Sequence, residues 1–338
     1  MSSVRIASSL ALAALLAGRA AAAPSATPAP APAAALEGSD ARGSEPRPRE
    51  LALRFAWPRS LEARVTYRRV VARPDGAERV FTARYTERAT RSVDELRIAS
   101  SGTRWDGEIP YPPGEVRSAI RASEAVVQRV GADGAFIGLR NEDALRPVLQ
   151  RIYGDAGLTD EEAEQVIARV EEAMVDEARD GWNLAVGFWI GAELDVGEAR
   201  EKDVDAPVWL LPAVAVKSRV RMEARRRVPC TASERKALCV ELTLHSEPDR
   251  AALPALTRAI VAKLAGEEKA LPPGEVLEVG LATDLTLVTE PDTLVPHRVV
   301  WRRSVRATLV DDEGPHELED VERTEWSWSY VRRGAPLR

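Results

Sequence analysis

Residues 61–85, LEARVTYRRVVARPDGAERVFTARY, decide the fold of this chain. Apolar side chains alternate with polar ones in both halves of the stretch, at Leu61, Ala63, Val65, Tyr67 and Val71 and then at Phe81, Ala83 and Tyr85. Between the halves, Pro74-Asp75-Gly76 is typical of a tight turn, because proline presets φ and glycine accepts a positive φ. The stretch therefore predicts an antiparallel hairpin with one buried face.

Further extended segments surround this hairpin. A second hairpin is predicted where residues 125–130 and 135–139 flank Gly131-Ala132-Asp133-Gly134, a glycine-rich turn. Toward the C-terminus the same patterning predicts strands over residues 213–228, 238–244, 276–289, 299–310 and 317–331. A large antiparallel sheet is thus expected.

The middle of the chain changes to helical spacing. Thr159 and Glu162 form a capping box. Apolar residues then recur every three or four positions as far as Gly181, at Ala163, Val166, Ile167, Val170, Ala173 and Met174. A shorter segment follows in which Trp182, Ala185, Val186 and Trp189 share one face.

Two more helices are marked by proline at the start and glycine at the stop. One is predicted from Pro147 to Tyr153, with Gly154 as its stop, and the other from Pro254 to Gly266. Strands before and after a helical middle predict an α+β fold: a large, curved antiparallel sheet built from hairpins, with the inserted helices packing on one face.

Residues 51–335 are expected to form one domain. An alternative organisation is two β halves around the helical middle, residues 141–190. The pentapeptide PPGEV, which occurs at 112–116 and again at 272–276, hints at such a duplication. A shared turn type or coincidence is the preferred explanation of so short a match.

The N-terminus is typical of an exported protein. Arg5 precedes an apolar run over residues 6–18, and small residues at 20–23 offer a cleavage site, so residues 1–23 are predicted to be a signal peptide. The run is shorter than the ~20 residues of a transmembrane helix. Residues 24–50 are rich in alanine and proline and are expected to be a disordered linker. A periplasmic or extracellular location follows as the expectation.

The charge of the chain argues against a nucleic-acid partner. The net charge is −6, and basic and acidic residues are interspersed. The short basic run Arg225-Arg226-Arg227 is best explained as a solvated strand end, with a phosphate or membrane contact as the alternative.

The two cysteines, Cys230 and Cys239, are expected to form a disulfide in an oxidising compartment. Since predicted strands flank them, the bond would close the loop of a hairpin. In the loop-entropy description such a closure stabilises the fold by about 2.7 kcal/mol. A redox or metal role would require a CxxC pair or nearby histidines in sequence, and the sequence has neither.

Enzymatic motifs do not withstand comparison with simpler explanations. The three histidines, His245, His297 and His316, are scattered, and no GxSxG, P-loop or GxGxxG occurs. Ser233-Glu234-Arg235-Lys236 fits an SxxK pattern but lies in a polar loop without a KTG partner. The acidic groups at 160–162 and 311–313 suit a helix start and a hairpin turn. We therefore expect no catalytic residue, cofactor or metal; a hydrolase of unrecognised type is the enzymatic alternative.

Aromatic residues are the remaining candidates for a site. Trp326, Trp328 and Tyr330 alternate along the last strand, and Trp301 lies on the neighbouring one. Together with Trp182 and Trp189 as a lid, they would enclose an apolar cavity for a lipid or a hydrophobic peptide. The simpler explanation is that they are ordinary core side chains.

The order of a signal peptide, long antiparallel strands and midway helices resembles the half-barrel folds of periplasmic lipoprotein carriers and related envelope lipid-binding proteins. With its strand, Gly131-Ala132-Asp133-Gly134 turn and strand, the chain is also similar to uncharacterised secreted proteins of GC-rich bacteria. The resemblance implies a fold and no functional residue. The leading hypothesis is a non-enzymatic envelope protein that binds a hydrophobic ligand between sheet and helices. The alternative is a structural or protein-binding envelope component without a ligand cavity.

Overall fold

A computed structural model describes residues 50–72, 78–106, 120, 124–141, 144, 146–155, 159–208, 211–231, 238–253, 256–257, 275–311 and 314–331. Several sequence predictions lie outside the described residues: the signal peptide, the linker up to residue 49, the turn at 74–76, the SxxK match at 233–236, most of the helix expected from Pro254, and the first PPGEV segment.

Strands dominate the architecture and follow the hairpin pattern. They are β1 (Glu50–Ala52), β2 (Ser60–Ala72), β3 (Glu78–Arg91), β4 (Glu95–Asp106), β5 (Val127–Gly131), β6 (Phe136–Arg140), β7 (Glu193–Asp195), β8 (Ala199–Val208), β9 (Leu211–Val228), β10 (Cys239–Pro248), β11 (Glu275–Thr289), β12 (Pro296–Asp311) and β13 (Gly314–Tyr330). Strands β1 and β7 pair with each other, and the others form one eleven-stranded sheet.

The large sheet is an open antiparallel meander in the order β6-β5-β4-β3-β2-β13-β12-β11-β10-β9-β8. The chain runs outward from β2 to one edge at β6, crosses to the other edge at β8, and returns strand by strand to β13. The two runs join where β13 pairs with β2, with Trp326 opposite Tyr67. The predicted α+β class with a large antiparallel sheet is confirmed.

The opening hairpin has the predicted register. Val65 lies opposite Tyr85 and Tyr67 opposite Ala83. All four side chains are buried, so the alternation of the sequence places one face of both strands inside.

Among the described residues between β6 and β7 there are two α-helices, α1 (Arg146–Asp155) and α2 (Asp160–Ala185), followed by a 3₁₀ turn (Gly187–Trp189). Thr159 caps α2 through the predicted capping box with Glu162. The expected stop at Gly181 is wrong, because α2 continues to Ala185. A glycine inside a helix costs about 1 kcal/mol, and the buried ring of the next residue, Trp182, is anchored by packing that offsets this cost.

The core lies on one face of the sheet. Buried side chains of β2, β3, β4, β12 and β13 meet those of β9, β10 and β11, and Trp182, Val186 and Trp189 cover them. A smaller cluster joins α1 to α2 through Leu149, Tyr153 and Ile167. Helices therefore pack on one face, as expected.

The segment before β2 ties these parts together. Leu53 N–H donates to Ala192 O at 2.9 Å, and Arg54 and Ala56 donate to the turn between β11 and β12. Within the part of the chain that the structure describes, no helix combines the length and the apolar character needed to cross a membrane.

Candidate ligand pocket between the sheet and helix α2

A small pocket lies where the last turn of α2 faces the inner side of the sheet. Its volume is about 70 Å³. Three parts of the structure form its wall: the inner faces of β3, β4, β5, β12 and β13, the last turn of α2, and the segment before β2. The lining residues are Trp57, Tyr85, Glu87, Ile98, Gln128, Gly181, Trp182, Leu184, Ala185, Val186, Pro296, Val299, Trp301, Trp326 and Trp328.

Tryptophans fix the shape of this pocket. The rings of Trp57 and Trp182 lie 5.5 Å apart at a tilt of 56°. Each indole N–H is held by a backbone carbonyl: Trp57 Nε1 donates to Leu294 O at 3.2 Å, and Trp182 Nε1 donates to Gly134 O at 2.8 Å. Because a buried aromatic ring with a satisfied polar atom has one preferred position, these two rings form a preorganised wall.

The opposite wall carries polar groups. Trp328 Nε1 donates to Glu87 Oε1 at 3.2 Å. Two other donors of lining residues, Gln128 Nε2 and Trp301 Nε1, are buried and have no hydrogen-bond partner among the described residues. A buried donor without a partner costs about 1–3 kcal/mol. The pocket is thus apolar in most of its wall, and two donors of its lining residues have no acceptor among the described residues.

A buried arginine backs this wall. The guanidinium of Arg303, which is 7% exposed, lies 3.5 Å from the centre of the Trp301 ring. This is a cation–π contact, which stabilises the buried guanidinium against the indole.

The predicted ligand-lining residues divide into two groups. Trp182, Trp301, Trp326 and Trp328 all line the pocket. Trp189 and Tyr330 do not. Trp189 is fully buried and donates to Leu184 O at 2.9 Å, whereas the Tyr330 hydroxyl donates to Pro296 O. Burial raises the pKa of Tyr330 well above its ordinary value. Contact of any of the six with a ligand stays a prediction.

The sequence analysis did not assign the other lining residues to a site, and three of them matter for its chemistry and shape. Trp57 lies between β1 and β2, Glu87 interrupts the apolar face of β3, and Gln128 lies on the short strand β5. A glutamate at an inward position of a strand was the one available signal, since that parity otherwise holds Ala83, Tyr85 and Ala89.

The disulfide between Cys230 and Cys239 is confirmed, with an S–S distance of 2.05 Å. A His297 nitrogen lies within 4.8 Å of both sulfurs. Both sulfurs are consumed in the covalent bond, so this trio does not supply the thiolates that a metal site needs. His297 Nε2 instead lies 3.2 Å from Glu290 Oε1. That hydrogen bond, helped by Thr293, lowers the pKa of Glu290.

His245 and the acidic residues at the start of α2, which were singled out from the sequence, lie in ordinary structural surroundings. His245 lies between Asp284, at 2.8 Å, and Glu247, at 3.8 Å, on a different strand from His297. Asp160 and Glu161 occupy the first turn of α2 as expected. His245 and His297 therefore lie outside the pocket wall.

Comparison with known proteins gives no family. No protein-family model and no curated protein matches the sequence. One solved structure that this chain matches is titled "Lipid-protein interactions in lipovitellin", with a TM-score of 0.40 and 8% identity. The match covers 87% of this chain and 26% of that one.

Proposed function

We propose that this protein is an exported, non-enzymatic envelope protein that binds an apolar ligand in the pocket under the last turn of α2. The observation that carries the proposal is the pairing of an aromatic wall with two buried donors, Gln128 Nε2 and Trp301 Nε1, that lack partners among the described residues. The disulfide supports export, because such bonds persist in oxidising compartments.

The volume of the pocket limits how the ligand enters. A pocket of about 70 Å³ holds a few water molecules or a short apolar segment. A whole lipid therefore requires that one wall move. Leu184 and Ala185, which follow the anchored Trp182 at the C-terminal end of α2, are the part of the wall that moves in this proposal, because they end a helix, whereas the sheet part of the wall consists of paired strands.

The polar wall indicates the chemistry of the ligand. Two donors without partners favour a ligand that brings an acceptor oxygen. Glu87 lines the same pocket, and its carboxylate disfavours an anionic group in a site of low dielectric constant. A neutral carbonyl on an apolar chain, such as an ester, satisfies both conditions.

The alternative is a structural or protein-binding role in which the pocket is a packing defect. A variant that fills the pocket distinguishes a ligand-binding role from a packing defect. Ala185→Leu places extra methyl groups in the cavity from the last turn of α2. If the pocket binds a ligand, this variant should lose binding while its unfolding midpoint stays the same or rises.

The test is a binding titration of the purified, exported chain with a pyrene-labelled fatty-acid methyl ester, followed by pyrene fluorescence. Ala168→Leu is the matched control, since Ala168 is an exposed residue of α2 outside the pocket wall. We expect Ala168→Leu to bind the ester like the parent, and Ala185→Leu to bind it at least ten times more weakly. No binding to the parent chain, or equal binding to both variants, would reject the proposal.

A further inference from the structure

The outer face of the sheet, opposite the pocket, is rich in arginine. On the central strands β2, β3, β4, β12 and β13 the outward, exposed positions hold Arg64, Arg68, Arg84, Arg104, Arg298, Arg302 and Arg323. In the same cross-strand rows the acidic residues are Asp106, Glu325 and, on the adjacent strand β11, Asp284, which lies opposite Arg302. This excess of positive charge contrasts with the net charge of −6 for the whole chain.

Two pairs of these arginines are direct cross-strand neighbours. Arg84 on β3 lies opposite Arg104 on β4, and Arg302 on β12 lies opposite Arg323 on β13. Like charges that face each other directly across strands destabilise a sheet. The isolated protein therefore carries a repulsion that an anionic partner would relieve.

The acidic neighbours neutralise this face only in part. Arg84 pairs with Asp106 at 2.8 Å, and these side chains are 65% and 52% exposed. Arg298 pairs with Glu325 at 2.8 Å. Exposed ion pairs of this kind contribute little and exchange readily with other partners.

Part of the arginine-rich face forms an open groove of about 940 Å³. Arg64, Arg84, Arg104 and Arg298 contribute to its lining, and hydroxyl side chains lie between them, among them Thr66 and Ser327. Guanidinium groups bind phosphate oxygens through paired N–H donors, and hydroxyls donate further hydrogen bonds to the same oxygens. The groove thus has the chemistry of a phosphate-binding surface.

We propose that this arginine groove docks the protein on an anionic phospholipid surface. The positive charges are spread over five adjacent strands, about 20 Å at the usual strand spacing, rather than directed at one point. A surface with many phosphates matches this distribution better than a single small anion does. Clustered arginines near such a surface act together through its negative potential.

The groove and the pocket share Tyr85 and Trp328 in their linings, but the arginines of the groove are not part of the pocket wall. Along β2, Val65 and Tyr67 are buried on the inner face, whereas Arg64 and Thr66 are exposed on the outer face. Failure of one binding activity would therefore leave the other testable.

The experiment is co-sedimentation of the purified chain with vesicles of phosphatidylcholine, alone or with about one third phosphatidylglycerol. We expect binding to the mixed vesicles only, and weaker binding as salt is raised. The double variant Arg84→Gln with Arg104→Gln should partition about 30-fold less, since each arginine near an anionic surface contributes about fivefold. Its unfolding midpoint should not fall, because the change removes a like-charge pair.

The matched control replaces Arg221 and Arg306 with glutamine. Both lie on the same sheet face outside the groove and are 53% and 71% exposed, similar to Arg84. If both double variants lose vesicle binding equally, binding depends on the total charge of the protein, and the assignment of the groove as the docking site is wrong. Binding to soluble polyphosphate but not to the mixed vesicles would show that the groove binds phosphates other than those of a membrane surface. Absence of binding to either would contradict the proposal altogether.

Discussion

The indole of Trp182 donates a 2.8 Å hydrogen bond to the carbonyl of Gly134. Trp182 belongs to the last turn of α2, and Gly134 to the turn between β5 and β6. At this point the helix that borders the pocket is fixed to the edge of the sheet. The position of the pocket wall therefore depends on a glycine turn that has no contact with the ligand we propose.

Gly134→Ala should destabilise the fold by about 3 kcal/mol, from backbone strain together with overpacking. Gly134 has φ of +91°, and an added Cβ would lie 2.4 Å from Ile190 Cδ1 and 2.9 Å from the Phe55 ring. Urea unfolding followed by tryptophan fluorescence measures the difference.

Gly197→Ala is the control for backbone strain alone. Gly197 has φ of +90°, and an added Cβ there would meet nothing within 4 Å. We expect a loss of about 1 kcal/mol. Equal losses at the two positions would mean that the contacts with Ile190 and Phe55 do not matter.

Much of the fold was predictable because its strands alternate strongly. The β2–β3 hairpin, the long C-terminal strands and the capped helix α2 follow directly from apolar spacing. Strands β4 and β8 were not predicted. Strand β4 buries Leu96 and Ile98 but continues as a polar stretch, and β8 is a charged strand at the sheet edge, where charges discourage further pairing.

The site was harder to predict than the fold. The sequence grouped Trp326 with Trp328 correctly, because alternation along one strand puts both on the inner face. It could not bring Trp57 and Gln128 to them, since this requires the order of strands in the sheet. It also grouped Trp189 with Trp182. In the structure Trp182 lines the pocket, whereas Trp189, in the 3₁₀ turn after α2, is buried outside the pocket wall.

Reduction of the Cys230–Cys239 disulfide should lower the free energy of unfolding by about 2.7 kcal/mol, the loop-entropy value for so short a loop. The measurement is urea unfolding with and without a dithiol reductant. A variant with both cysteines replaced by serine should show the same stability under both conditions. A reductant effect that persists in this variant would contradict the assignment.

Glu290 should make the fold sensitive to acid. Its pKa lies below the ordinary 4.5, first because of the hydrogen bond with His297 and then because of that with Thr293. A carboxyl whose pKa is lower in the folded state contributes stability above its unfolded pKa, and this contribution disappears as pH falls through the folded pKa. Glu290→Gln should therefore lower the unfolding midpoint at pH 7 and reduce the loss between about pH 5 and pH 3.

His297→Gln tests the cause of that pKa. If the imidazole is the main partner of Glu290, His297→Gln should reduce the loss of stability between about pH 5 and pH 3 almost as much as Glu290→Gln does. The double variant should then add little. Additive effects would show that the two side chains act separately.

Gln128→Leu should separate the stability of the fold from the binding of ligand. Gln128 Nε2 is buried without a partner among the described residues, so replacing the amide with an apolar side chain of similar size should raise the free energy of unfolding by about 1 kcal/mol. The same change removes a donor that we assign to the carbonyl of the ligand. Affinity for the pyrene-labelled ester should fall about tenfold. Affinity for a pyrene-labelled alkane of equal length, which has no carbonyl, should not fall. A parallel loss for both ligands would mean that Gln128 shapes the pocket rather than recognising an acceptor oxygen.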